Sequence, residues 1–305
     1  MAVALEGEHC AKYLVYRRSV IWTVADSDPD VQRRRLMSAL REHRELAGIT
    51  QRDAAAALDW SPSKLIRIET GAHGVSVTDL QALLHLYGVT GQDTTANLKE
   101  LARASRGKPW WHEYRDLVSR QFATYLGYES SASSLTAFHP LMLPGLLHTE
   151  AYATAILDIL RKPERTRRIV ELKRRRQEHL FADAYVQIAF IVNEEALYRW
   201  IGGRDAMRLQ LQHIRDVAER PNVTVSIVPV SAGAHPGLCG SFTVARIDEL
   251  NEQLVFLESM NGDKIIKDSR TDIELYDEYV AELGRCALTS EDGDALLKAQ
   301  IARLQ

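Results

Sequence analysis

Over the first hundred residues, apolar positions recur at helical spacing and polar turns cut them into short runs. Leu36 and Leu40 lie four apart within Val31 to Ala47, and Gly48 closes that stretch, so a helix is predicted there. A short run from Gln51 to Leu58 follows. Thr50 is placed to cap it, with Asp53 three residues on, where a side-chain oxygen meets a free amide and a carboxylate suits the helix dipole. Asp59 and Trp60 break the run. Ser61 caps the next helix with Pro62 at its first position, where a missing N–H costs nothing. Leu65 and Ile68 share one face, with Leu58 and Trp60 placed to meet them, and Gly71 suits a left-handed end. Ala72-His73-Gly74 reads as a turn. Val77, Leu80, Leu83, Leu84 and Leu86 predict a fourth helix closed by Gly88, and Asp93 to Ala104 a fifth, with Leu98 and Leu101 apolar. Together these make an all-α five-helix domain over 30–104, of roughly seventy residues. Ser105-Arg106-Gly107-Lys108-Pro109 reads as a linker, and residues 1–29 as an extension of unassigned role.

From 110 to 305 the pattern is mixed. Trp110 to about Leu126 is predicted helical, Ser134 to His139 a short strand. Pro140, Pro144 and Gly145 then force a bend before a helix capped near Thr149. Glu164 to Phe181 is a long helix rich in arginine. Tyr185 to Val192 is apolar nearly throughout and predicts a central strand. Helices over Glu194–Ile201 and Asp205–Ala218 are split by Gly202-Gly203. Val223 to Val228, Phe242 to Ile247 and Leu254 to Glu258 continue a sheet, and Ser269–Ala287 and Ser290–Leu304 close the chain as helices. Such an order argues a larger α/β or α+β domain.

Two short helices joined by a tight turn can place the second in the DNA major groove, its N-terminal residues at base edges. Here Pro62, Ser63 and Arg67 would stand there, with Ile66 able to touch a thymine methyl and Arg67 to take a guanine bidentately. Gln51, Lys64, Thr70 and His73 would fall near phosphates, where they position without specifying. Spacing alone leaves open an ordinary helical hairpin with a solvated polar face.

Gln51, Ala55, Trp60-Ser61-Pro62-Ser63-Lys64, Arg67-Ile68-Glu69 and Gly71 together resemble the Cro/repressor-type (XRE, lambda-repressor-like) helix-turn-helix. The chain departs from that pattern at Asp59, where the family usually carries glycine, and at Ile66, where serine is common. Further along, Trp110, Leu143-Pro144-Gly145-Leu146-Leu147-His148-Thr149-Glu150-Ala151-Tyr152-Ala153, Arg174-Arg175-Arg176-Gln177, Glu194-Glu195-Ala196-Leu197, Gly233-Ala234-His235 and Gly240-Ser241-Phe242 resemble the actinobacterial WhiJ-like regulators. His148 stands where that group usually has glutamine. The resemblance implies a transcriptional regulator that binds a double-stranded DNA operator, often paired with a small protein from a neighbouring gene, with the antitoxin-like role in such a pair. Two-fold operators further imply a homodimer.

Composition changes this picture little. In 305 residues, 46% hydrophobic and 26% charged content is ordinary for a globular chain, and a net charge of -3 does not itself point to nucleic acid. The basic bias is local: Arg33, Arg34, Arg35, Arg41, Arg44, Arg52, Lys64 and Arg67 crowd the first third, while Asp248 to Glu291 is acidic. Cys10, Cys239 and Cys286 form no CxxC pair, which fits a reduced, cytoplasmic chain, and no apolar run reaches membrane-spanning length. The arginines of 164–181 admit a second DNA contact or a solvated face interleaved with Glu171 and Glu178; the second is preferred. His235 with Cys239, and His139 with His148, lack the ligand number a metal needs. Phosphate-binding, dinucleotide, HExxH and GxSxG patterns are absent, so neither cofactor nor catalytic residue is assigned. The larger domain is expected to bind a partner or ligand; the alternative is an enzyme of unrecognised type tethered to a DNA reader.

Overall fold

The computed structural model describes residues 29–305 apart from 71–73, 160–161, 183–185 and 260. The extension drawn over residues 1–29 lies outside the described residues up to position 28, as do Cys10, Gly71 and His73.

Five helices lead the described residues: α1 (Pro29–Leu46), α2 (Gln51–Ala57), α3 (Pro62–Glu69), α4 (Val77–Leu86) and α5 (Gln92–Ala104). Leu36, Leu40, Ala54, Ala55, Leu65, Ile68, Leu80, Leu83 and Leu98 form one buried cluster, which is the stripe that helical spacing marks. Gly48 and Gly88 adopt φ of 69° and 72°, ending α1 and α4 as left-handed glycines do.

The remainder is an α+β domain around a six-stranded sheet of order β3-β2-β1-β4-β5-β6. Its strands are β1 (Ser134–His139), β2 (Gln187–Asn193), β3 (Val223–Val228), β4 (Phe242–Ile247), β5 (Glu252–Leu257) and β6 (Lys264–Ile266). β1, β2 and β3 run parallel, and β4, β5 and β6 continue antiparallel from β1. The helices are α6 (Arg120–Glu129), α7 (Glu150–Leu157), α8 (Pro163–Ala182), α9 (Arg204–Ala218), α10 (Arg270–Cys286) and α11 (Ser290–Arg303). Alternate residues serve two cores. Leu135, Phe190, Ala245 and Phe256 face one cluster, while Phe138, Ile191, Val244 and Val255 face another with Leu283 of α10. Cover on both faces explains why β2 is apolar nearly throughout.

Two expected elements differ, and one strand is added. Trp110 to Leu126 is no single helix: Trp110–Tyr114 is a 3-10 turn, and Ser119 caps α6 by accepting from the Phe122 amide. Glu194–Ile201 shrinks to a 3-10 turn over Glu194–Leu197, with the Glu194 carboxylate accepting from the Val230 amide. β6 was not expected; three residues are too few to show alternation.

The two domains share a helix. Val31 of α1 is fully buried in the core of the larger domain, whereas Leu36 and Leu40 belong to the smaller one. The guanidinium of Arg34 lies 4.6 Å from the ring centre of Tyr128 on α6 and its Nε is 3.0 Å from Glu252 Oε2 on β5. The connecting segment is also held: the Arg106 Nη2 donates to the Val75 carbonyl at 2.6 Å.

Candidate nucleic-acid interface

The caps that the sequence implies are made. The Thr50 hydroxyl accepts from the Asp53 amide, and the Ser61 hydroxyl accepts from the Lys64 amide with Pro62 at the first helical position. Between the helices, Asp59 takes φ of 55°, the left-handed conformation that glycine supplies in the pattern it resembles. The turn is therefore kept, and aspartate is placed where a side chain is disfavoured.

With Leu65, Ile68 and Glu69 buried, α3 has a single free face. Pro62, Ser63, Ile66 and Arg67 stand on it, all exposed. Ile66 is 43% exposed, an unusual surface position for a branched apolar side chain that has no apolar partner to gain. Arg67 is steadied by an Nε donation to the Ser63 carbonyl at 3.2 Å, and its Nη atoms have no partner among the described residues.

Below this face Glu69, 1% exposed, ties the module together. Arg44 donates from Nε to Glu69 Oε1 at 2.7 Å and from Nη2 to Oε2 at 3.2 Å, while its Nη1 reaches the Ile49 carbonyl at 2.9 Å. Gln51 Nε2 donates to Glu69 Oε2 at 2.7 Å, and Arg41 Nη2 to the Glu69 carbonyl at 3.0 Å. One carboxylate thus fixes α1, the following loop and α2 against the end of α3. Of the residues expected at phosphates, Gln51 is engaged inside this network. Lys64 donates to Asp79 Oδ1 at 2.7 Å and lies 3.8 Å from the Trp60 ring centre. Burial opposes ionisation of Asp79, but hydrogen bonds from Lys64 and Ser76 outweigh it and hold the carboxyl below its usual range. Thr70 turns its hydroxyl back to the Ile66 carbonyl, and His73 lies outside the described residues. Exposed Arg41 and Arg52 flank an open groove beside Thr50 and Gln51 and add two cations to this side of the module.

A model described as "Helix-turn-helix domain" matches residues 35–98, and one described as "Domain of unknown function (DUF5753)" matches residues 122–299, more than half of the chain. The chain belongs to the DUF5753 family. Neither the curated proteins nor the solved structures contain a match to it. The helix-turn-helix match supports a DNA-binding regulator of XRE type, and it spans the α3 face and its supporting network.

In the DUF5753 domain, the arginine run of α8 is not one solvated face. Arg174 pairs with Glu178 and Arg175 with Glu113, but Arg176 is buried and bidentate to Glu129, at 2.8 and 2.6 Å. Tyr125 also donates to Glu129, at 2.6 Å. Gln177 Nε2 donates to the Leu146 and His148 carbonyls at 2.9 and 2.8 Å, locking the proline-bounded loop onto α8. His148 is buried, its Nε2 donating to the Leu143 carbonyl at 2.7 Å. Burial and the Lys173 charge hold its ring neutral, well below the usual histidine range. Among the described residues no group of three or more His, Cys, Asp or Glu side chains could hold a metal ion, and no helix is long and apolar enough to cross a membrane. His235 packs edge-on against Phe138, and Cys239 is an exposed free thiol.

Proposed function

We propose that this chain is a dimeric, sequence-specific transcriptional regulator of the WhiJ-like kind, whose DUF5753 domain senses a ligand or a small protein from a neighbouring gene in an antitoxin-like arrangement. The supporting observation is the α3 face: Pro62, Ser63, Ile66 and Arg67 are all exposed on a helix whose opposite side is fully packed. On this reading those four residues meet bases, Arg67 as a bidentate donor to guanine and Ile66 on a thymine methyl. Gln51, Lys64, Thr70 and His73 lie along phosphates, with Arg41 and Arg52 beside them. A dimer would place two such helices one helical turn apart on a two-fold operator.

The test is a DNA-binding assay on the region upstream of the protein's own gene at stated salt, with and without the product of the adjacent small open reading frame. Specific binding altered by that product supports the paired arrangement; specific binding that ignores it assigns the domain to a small-molecule effector. A larger domain with enzymatic activity is the second reading, favoured by a cavity with converging polar groups and two histidines held neutral by burial. Absence of specific binding to any sequence would bring that reading forward.

A further inference from the structure

Behind the proline-bounded loop lies a cavity of about 570 Å³, a size typical of small-molecule sites. The sheet floors it, and α6, α7 and α8 wall it. The strand register builds the floor. Ala137 on β1 stands opposite Thr243 on β4, and Thr243 opposite Phe256 on β5, so the three side chains share a face, and all line the space. His139, two residues along β1, is on the same face and lies diagonally across from Thr243. One wall is aromatic: Tyr125 and Phe256 stack with ring centres 4.5 Å apart, and Phe122 meets them at 5.7 and 5.6 Å.

The charges around this space are answered within the protein. Arg176 is bidentate to buried Glu129. Asp263 accepts from the Ser119 hydroxyl at 2.6 Å. Lys173 and Glu258, of opposite sign, both act on the His139 ring. An anion entering here meets carboxylates as well as the lysine, and a cation meets the lysine as well as carboxylates. Either would give up its hydration without gaining an unmatched counter-ion.

What the cavity leaves open is uncharged. Thr243 is 6% exposed, and its hydroxyl has no hydrogen-bond partner among the described residues. The His139 ring likewise makes no hydrogen bond among them, and burial keeps it neutral against the pull of Glu258, so it offers one N–H and one lone pair. A buried hydroxyl left without a partner costs free energy, which a guest's own hydroxyl or carbonyl would recover. The unmatched groups are thus hydrogen-bonding and neutral, and they stand beside an aromatic wall.

We infer that this cavity is the site of a neutral aromatic molecule carrying a hydroxyl or carbonyl group, its rings against Phe122, Tyr125 and Phe256 and its polar group at Thr243 and His139. That such a guest is what the domain senses rests on the regulator reading above; the site does not. Calorimetric titration of the full chain with 2-naphthol, without DNA, tests it, with 2-naphthoate, 2-naphthylmethylammonium and decahydro-2-naphthol as comparisons. Saturable binding of 2-naphthol is expected, at least about tenfold tighter than either charged compound and at least about threefold tighter than the saturated alcohol. Thr243→Val keeps the side chain's shape without its hydroxyl and should weaken 2-naphthol by about fivefold. Met142→Trp, at the mouth, should weaken every compound that binds. No saturable binding of 2-naphthol overturns the site. Equal affinity for a charged compound overturns the preference for a neutral guest, and equal affinity for the saturated alcohol overturns the aromatic wall as its contact. An affinity unchanged in both variants overturns the placement in this cavity. Because the titration contains no DNA, a chain that binds no specific operator would end the regulator reading and leave the calorimetry to decide the site.

Discussion

Gln51 Nε2 donates to Glu69 Oε2 at 2.7 Å, joining the first residue of α2 to the last residue of α3. A side chain expected at the phosphate backbone is thus also a strut of the module that carries it. Gln51→Ala should weaken binding to every operator variant alike, because its contact positions without specifying. It should also lower unfolding stability by about 1.5–3 kcal/mol, the range for a hydrogen bond to a charged group. Chemical denaturation beside a competition assay measures both, and a loss confined to one base pair would contradict the positioning role.

Arg67 makes its only hydrogen bond among the described residues backwards, to the Ser63 carbonyl, and is exposed. Arg67→Ala should leave stability within about 0.5 kcal/mol, as exposed substitutions do. It should cost roughly 1–3 kcal/mol of specific binding and relax the preference at one operator position. Unchanged discrimination across a set of single-base operator variants would remove Arg67 from the bases.

Asp59 holds a left-handed turn at φ of 55°. Asp59→Gly removes the side-chain penalty of that region and should raise stability by up to about 1 kcal/mol without changing DNA specificity. Thermal unfolding of the pair of proteins measures it; a destabilised glycine variant would show that the aspartate side chain itself secures the turn.

Arg176 and Glu129 are 6% and 3% exposed and bidentate. Arg176→Met leaves Glu129 buried without its cation and should cost roughly 3–5 kcal/mol. The double variant Arg176→Met with Glu129→Leu should recover most of that loss, because it removes both desolvated charges. Denaturant unfolding across the four proteins measures the coupling.

Acid should destabilise the larger domain through its buried histidines. His139 and His148 titrate below their ordinary range, first because burial disfavours the charged ring and then because Lys173 repels it. Below about pH 6.5 the unfolded chain takes up protons that the folded rings refuse, so stability is full above that pH. It falls as pH drops toward the folded values, by up to about 1.4 kcal/mol per pH unit for each ring. Arg176 and Glu258 also face this region and do not reverse the sign. His148→Gln keeps a donor for the Leu143 carbonyl and should flatten the fall between about pH 6 and 5. An unchanged slope would assign the acid sensitivity elsewhere.

The small domain was legible in the sequence nearly helix by helix, because its caps, its apolar stripes and its left-handed glycines are all local signals. The α3 face followed directly from Leu65 and Ile68 pointing inward. The hidden part was electrostatic. Arg44 continues the Leu36 and Leu40 series four residues on, Glu69 continues Leu65, and Arg176 stands between Leu172 and Leu180 at the same spacing. Each charge sits on an apolar stripe, which is the available sign of burial; Arg44 reads otherwise as local charge and Arg176 as part of a solvated face, while Glu69 enters only through the family resemblance. The sheet order and the cavity were beyond reach, since both depend on which strands and helices meet across long separations of the chain. β6 and the 3-10 turns fail for another reason: they are too short for periodicity to register.

Val31 has a consequence for how such a protein is taken apart or rebuilt. Cutting the chain near residues 105–109 would leave the reader's first helix with an apolar plug facing water and the larger domain with a hole where that plug belongs. Reader domains exchanged between members of this family must therefore travel with a matching outer face of α1, chiefly the positions of Val31 and Arg34. Chimeras that ignore those two positions should be insoluble, whereas chimeras that transplant them should fold with the exchanged reader seated on the larger domain.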